Sequence, residues 1–244
     1  MLVTAGLRKT FGGVRATDGV ALAVAPGEIR ALIGPNGAGK TTLFNLLTGH
    51  LRPDAGSIRF AGREIAGRPP FVIWRQGLSR TFQIPAVFAN LAVADNVLVP
   101  ILSGTRRTLD FLGVAPRAAR RRAEGLLERV ELGDQAGKRA GTLAYGDLKK
   151  LELAIALASD PRLLLLDEPT AGMAPAERHA LMGLVAAIAR ERELTILFTE
   201  HDMDVVFSVA ERISVLHQGR LIAEGTPAEI RANAEVRARY LGAG

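Results

Sequence analysis

Four separated clusters hold the side chains whose types and spacing suit chemistry. The first is Gly34-Pro35-Asn36-Gly37-Ala38-Gly39-Lys40-Thr41, followed by Thr42. Its glycines let the backbone curl so that successive N–H groups point inward at an anion, and a helix starting near Lys40 adds the positive end of its dipole. Lys40 would then reach the β- and γ-phosphates of a nucleotide, and the Thr41 hydroxyl would ligate Mg²⁺. The second cluster is Asp167-Glu168, directly after Leu163-Leu164-Leu165-Leu166. Asp167 would hold the metal together with Thr41, and Glu168 would act as general base or orient the attacking water, a contribution of roughly 10²–10⁴-fold in rate. Third is Gln83, at the end of Leu78-Ser79-Arg80-Thr81-Phe82-Gln83, which could contact metal and water; fourth is His201, after Leu194 to Thr199, which could bond the γ-phosphate. Alone, a glutamine or a histidine is most simply a solvated surface residue, so both assignments depend on the strands that carry them.

Those strands must bring the clusters to one edge. The apolar run up to Ile33 feeds the glycine loop, and Thr42 to Leu47 continues it as a helix. Four leucines in a row are what a parallel strand buried on both faces requires, and in an open parallel sheet ligands gather at the carboxyl ends of strands. Asp167, Glu168 and His201 therefore arrive on the side of the phosphate loop. A helix is predicted from Pro175 to about Arg192, then two strands over Arg212 to Glu224 and short helices from Pro227 to Leu241. Ahead of the loop, Leu2 to Leu7, Val20 to Val24 and Glu28 to Ile33, with Ser57 to Phe60 after it, alternate with the turns Gly12-Gly13, Pro26-Gly27 and Pro53 to Gly56. Phe11, beside the first of these turns, could stack on a purine base or fill a core. From Ile84 to about Ala158 the period becomes helical, with helices over Val93 to Leu102, Pro116 to Val130 and Asp147 to Ala158. The fold class expected is α/β: a P-loop NTPase core with a mostly parallel sheet, an N-terminal antiparallel β subdomain, and a helical subdomain at about 84–158 inserted in one domain, 1–244.

Composition narrows the classes. With 244 residues and 48% hydrophobic content the chain can bury a large core. Apolar runs such as Val20 to Ala25 fall far short of the roughly 18 residues of a membrane span. There is no cysteine, which excludes disulfides, thiolate metal sites and cysteine nucleophiles, and a cytoplasmic location is expected. The 31 Lys and Arg against 25 Asp and Glu give a net charge of +6. The densest basic patch, Arg117 with Arg120-Arg121-Arg122, alternates at helical spacing with Ala119, Ala123, Leu126, Leu127 and Val130, so it reads as a solvated helix face and no nucleic-acid partner is expected.

In their order these segments resemble the ATP-binding subunits of ABC transporters, over essentially the whole chain. The glycine loop looks like that family's Walker A motif, Thr81-Phe82-Gln83 its Q-loop, and Leu163 to Glu168 its Walker B motif with the catalytic glutamate. His201, in Thr199-Glu200-His201-Asp202, is similar to the switch histidine. Phe11 falls where the family places an aromatic that stacks on adenine. Leu143-Ala144-Tyr145-Gly146-Asp147 resembles the LSGGQ signature, with Ala144 in place of serine and Asp147 in place of glutamine; Tyr145 and Gly146 with the helix start would still present N–H groups to phosphate, and Asp147 would cap the helix. Ala171 to Pro175 resembles the D-loop, with Ala174 where aspartate is customary.

The resemblance implies ATP with Mg²⁺, and a pair of ATP-binding subunits, homodimeric or heterodimeric, in which one signature closes over the other's nucleotide. It also implies integral membrane permease subunits docked near Gln83 and the insertion, on the inner face of the membrane, and a periplasmic substrate-binding protein acting indirectly. Ser79 to Gln83, the run Phe88 to Val97, Thr199 to Asp204 and the ending Ile222 to Ile230 with Tyr240-Leu241-Gly242 look like the branched-chain amino acid importers. Lipid or lipopolysaccharide export, and a soluble role outside transport, are the other readings.

Overall fold

The computed structural model of the chain describes residues 1–81, 86–104 and 116–238. Two sheets organise it. The first is antiparallel and N-terminal: β1 (Leu2–Phe11), β2 (Val14–Val20), β3 (Ala23–Val24), β5 (Ala55–Phe60) and β6 (Arg63–Glu64), in the order β2-β1-β5-β6, with β3 also on β1. The second contains β4 (Ile29–Ile33), β7 (Leu78–Arg80), β8 (Leu163–Asp167), β9 (Thr195–Thr199), β10 (Arg212–His217) and β11 (Arg220–Gly225). Its order is β11-β10-β4-β9-β8-β7, parallel throughout except for the β10–β11 hairpin at one edge.

The central strands β4, β8 and β9 are buried at every position, which is why they read as unbroken apolar runs. Alternate residues still serve different faces. Leu32, Leu163, Leu165 and Leu197 pack with Leu43, Phe44, Leu46 and Leu47 of α1 (Lys40–Leu47) and with Leu2, Leu7, Ile58 and Phe60 of the first sheet. Ile29, Ala31, Ile33, Leu164, Leu166, Ile196 and Phe198 face the other way. The phosphate-loop helix is thus clamped between the sheets, each fully buried Leu or Phe contributing about 1.5–3 kcal/mol. The one charge inside β4, Arg30, is satisfied by Glu28 and Glu224, both at 2.6 Å, and by the Ser214 hydroxyl at 3.0 Å.

The remaining helices are α2 (Pro70–Arg75), α3 (Val93–Gly104), α4 (Arg117–Arg129), α5 (Tyr145–Leu157), α6 (Pro175–Arg192), α7 (Met203–Val209) and α8 (Pro227–Ala232). α3, α4 and α5 lie between β7 and β8 in the chain and pack on one another through Val93, Val97, Ile101, Ala123, Leu126, Leu127, Leu151 and Ala154. α6 runs over the residues predicted for it. Three expectations change. The apolar run Val20 to Val24 is two strand pieces, because Val20 belongs to a longer strand from Val14 that pairs with β1, while Ala23 and Val24 pair with Leu2 and Val3. The strand expected to reach Gln83 stops at Arg80, and Gln83 lies outside the described residues. The helix expected from Asp147 starts at Tyr145.

Candidate active site

The loop from Gly34 to Gly39 joins β4 to α1, and two of its glycines are dictated by space. A Cβ on Gly34 would lie 2.1 Å from the Leu216 carbonyl oxygen, and one on Gly39, where φ is +106°, would lie 2.1 Å from that of Ala16. Only glycine lets the loop pass this close to the neighbouring backbone. Asn36, Gly37 and Thr41 are exposed, Pro35 and Thr42 half-buried, and Ala38 buried. The buried Lys40 ammonium donates to the carbonyls of Gly34 (2.7 Å) and Pro35 (3.2 Å). Burial lowers its pKa, and the charges of Glu168 and Asp167 act against that shift.

The ends of β8 and β9 hold those carboxylates. Asp167 is paired with Thr199 across the sheet. Its Oδ1 accepts from the Thr199 hydroxyl (2.9 Å) and its Oδ2 from Arg80 Nη2 (2.7 Å). Arg80 Nη1 donates to Asn45 Oδ1 of α1 (2.6 Å), and the guanidinium stands 5.6 Å from the centre of the Phe44 ring, so one buried cation ties the metal-type carboxylate to the loop helix. Glu168 has φ +49°, and its amide donates to both the carbonyl (3.2 Å) and the hydroxyl (3.0 Å) of Thr199. Its Oε1 lies 2.7 Å from His201 Nε2. The structure therefore brings Lys40, Asp167, Glu168 and His201 together.

Residues 17–171 match the family described as ABC transporter, and residues 220–244 match that described as branched-chain amino acid ATP-binding cassette transporter. The chain belongs to the ABC transporter family. It is 42% identical to the high-affinity branched-chain amino acid transport ATP-binding protein BraF of Pseudomonas aeruginosa, covering 99% of this chain and 98% of that one. It is also 42% identical to LivG of Escherichia coli (strain K12), described in the same words, at the same coverage. A crystal structure of the ADP conformation of an ATP-binding cassette of an ABC transporter superimposes with a TM-score of 0.89 at 31% identity, covering 100% of this chain and 99% of that one. The chain is thus an ATP-binding cassette.

The cassette's other segments are placed as follows. Phe11 ends β1 half exposed, with the Lys9 ammonium 5.6 Å from its ring centre. It belongs to the same hairpin as Ala16, whose carbonyl backs onto Gly39. Tyr145 and Gly146 open α5; a Cβ on Gly172, in the loop after β8, would lie 3.3 Å from the Tyr145 ring, and one on Gly146 would lie 3.7 Å from both Met173 and Glu177. The expected capping role of Asp147 is corrected: Ala144 is the N-cap and has no side-chain cap bond, whereas Asp147 sits in the first turn and accepts from Gln135 Nε2 at 2.8 Å. Asp147 lies three residues beyond the N-cap, too far into the helix to cap it. Arg80, Asn45, Thr199 and Glu200 are site residues that sequence reasoning missed. For Arg80, Thr199 and Glu200 the available signal was a charge or hydroxyl at the end of an otherwise apolar strand; Asn45, inside α1, offered none.

Proposed function

We propose that this cassette hydrolyses ATP to energise uptake of branched-chain or related amino acids through membrane permease subunits. What carries the reading is the convergence of the loop and two strand ends: the loop with its buried Lys40 follows β4, and at the ends of the adjacent β9 and β8 His201 and Glu168 meet at 2.7 Å. The cargo class is supported by the names of the relatives, and export of lipid has no observation in its favour.

Gly34 to Thr42 binds the phosphates through backbone N–H groups, and the Lys40 ammonium exchanges its two carbonyl acceptors for phosphate oxygens. Thr41 and Asp167 offer a hydroxyl and a carboxylate, the hard oxygen donors that suit Mg²⁺; among the described residues no cluster of three His, Cys, Asp or Glu could hold an ion unaided, so phosphate oxygens would complete the shell. Bound there, the ion would neutralise charge on the phosphates. Glu168 takes the proton of the water whose oxygen attacks the γ-phosphorus, and ADP departs. His201 holds Glu168 in place and bonds the γ-phosphate, Phe11 stacks on adenine, and Gln83 is the residue that would contact water and the ion. Tyr145 and Gly146, at the start of α5, serve the nucleotide of a second ATP-binding subunit. Within the single domain the helical subdomain spans about 84–158.

The permease is assigned to a mostly apolar groove of about 500 Å³ lined by Phe71, Trp74, Phe88, Val99, Pro100 and Arg80, where Phe71 and Phe88 stand more than half exposed. No described helix is long and apolar enough to cross a membrane. The cassette rests on the inner membrane face through this partner, a reading supported by the names of the relatives, and a periplasmic binding protein selects the cargo. Glu168→Gln tests the reading: nucleotide affinity should persist while turnover falls by about 10²–10⁴-fold. Undiminished hydrolysis would refute it.

A further inference from the structure

Glu200 follows Thr199 at the end of β9 and is buried, with 3% of its surface exposed. Its Oε1 accepts from both the amide (2.9 Å) and the hydroxyl (2.5 Å) of Thr170, and its Oε2 accepts from the His201 amide (3.0 Å). Thr170 stands two residues after Glu168, so this one carboxylate fastens the backbone that leaves Glu168 to the backbone that carries His201. Three donors on two oxygens are a demand that an ionised carboxylate meets and a carboxamide, with a single acceptor oxygen, does not. Nearby, burial lowers the pKa of the Lys149 ammonium of α5, and Glu152, Glu200 and Asp167 act against that shift.

Glu168 needs such support. At φ +49° it occupies a left-handed conformation that non-glycine residues keep only where the surroundings enforce it. Thr199 fixes its amide from one side, and the clamp on Thr170 fixes the chain just beyond it. Loss of the clamp frees the Glu168 carboxylate and the His201 ring to move relative to one another, and an error of about 1 Å in a catalytic group can cost on the order of 10²-fold in rate.

We propose that Glu200 is a positioning residue, whose carboxylate sets the contact between Glu168 and His201 by clamping Thr170 to the His201 backbone without touching ATP. The inference rests on the reading of Glu168 and His201 as the pair that handles water.

The test is Glu200→Gln in the full chain, with single-turnover hydrolysis and binding of a fluorescent ATP analogue measured on the same preparation and rates normalised to binding-competent protein. Glutamine must turn its NH₂ toward either the Thr170 donors or the His201 amide. The rate should fall about 10–100-fold while the analogue's Kd changes by less than about twofold. In a His201→Ala background the same substitution should cost less than about twofold, because the residue acts through that pair. Thr170→Val, which removes one of the three donors, should show a smaller loss with the same dependence on His201, and it carries the test if Glu200→Gln does not fold. A rate within about twofold of the parent, or an equal loss with and without His201, overturns the proposal. Glu168→Gln in the same assay keeps the two ideas apart. If it retains turnover, the reading of the pair fails; if it abolishes turnover while Glu200→Gln lowers nothing, only the positioning role fails.

Discussion

Replacing Arg80 by methionine removes the cation between Asp167 and Asn45 while keeping most of the side-chain volume. Both members of the Arg80–Asp167 pair are buried, at 7% and 9% side-chain exposure, so solvent does little to screen the loss. Breaking such a pair from one side costs about 3–5 kcal/mol, because the surviving charge is left without its partner. The Asn45 bond adds about 1 kcal/mol. Two nearby cations reduce the total, since Lys40 and Lys149 both feel Asp167. A net cost of about 3 kcal/mol follows, which at a urea m-value of about 3 kcal/mol/M moves the unfolding midpoint down by about 1 M with m unchanged. In an Asp167→Asn background no carboxylate remains to be stranded, so the cost of Arg80→Met should shrink to about 1 kcal/mol, a coupling of about 2 kcal/mol. Measured without nucleotide or metal, the cycle reports stability alone. A single-variant cost below about 1 kcal/mol, or additivity within about 0.5 kcal/mol, would refute the argument that the pair is held by mutual charge compensation.

Two further substitutions probe the loop and the switch. Gly39→Ala places a methyl group 2.1 Å from the Ala16 carbonyl at a φ of +106°, so the loop must shift. The expected strain of about 2–3 kcal/mol should weaken binding of a fluorescent ATP analogue by about 30–150-fold, and a Kd within about threefold of the parent would show that the cradle tolerates the move. Asp202→Ala removes the cap of α7, whose carboxylate accepts from the amides of Asp204 and Val205 and from Arg178. Loss of about 0.5–2 kcal/mol is expected at neutral pH in chemical denaturation. The Arg178 bond, followed by the backbone amides, holds this carboxyl below its ordinary value of 3.8. A depressed carboxyl pKa stabilises above the unfolded value and loses that contribution as pH falls through the folded one, so the gap between parent and variant should narrow below about pH 4. A gap that stays constant down to about pH 3 would count against the Arg178 and cap bonds as its source.

The parts of the site legible in the sequence are those whose requirement is local. A phosphate cradle needs a curled backbone, and the glycines at 34, 37 and 39 ahead of Lys40 advertise it within eight residues, although the close approach of Gly34 to Leu216 and of Gly39 to Ala16 appears only in the fold. Leu163 to Leu166, a short apolar run that stops at an acidic pair, suit a strand buried on both faces, where each position meets the core. Asp147 shows the opposite case. An acidic residue suits a helix cap and a first turn about equally, so its role turned on a helix start that sequence fixes only to within a few residues.

Arg80, Thr199 and Glu200 were not legible because their meaning comes from strand order. In β10-β4-β9-β8-β7, the strand carrying Thr199 lies between the one that feeds the phosphate loop and the one that ends in Asp167-Glu168, although 32 positions separate Asp167 from Thr199 in sequence. No window of the chain contains that adjacency. Once it is present, the end of β9 becomes the shared wall of the site: the Thr199 hydroxyl meets Asp167 and the Glu168 amide, Glu200 meets Thr170, and His201 meets Glu168. Three successive residues of one strand end therefore control the carboxylates of its neighbour. It follows that substitutions at 199, 200 and 201 should couple to one another and to Glu168 far more strongly than to Lys40, whose ammonium is held by its own loop.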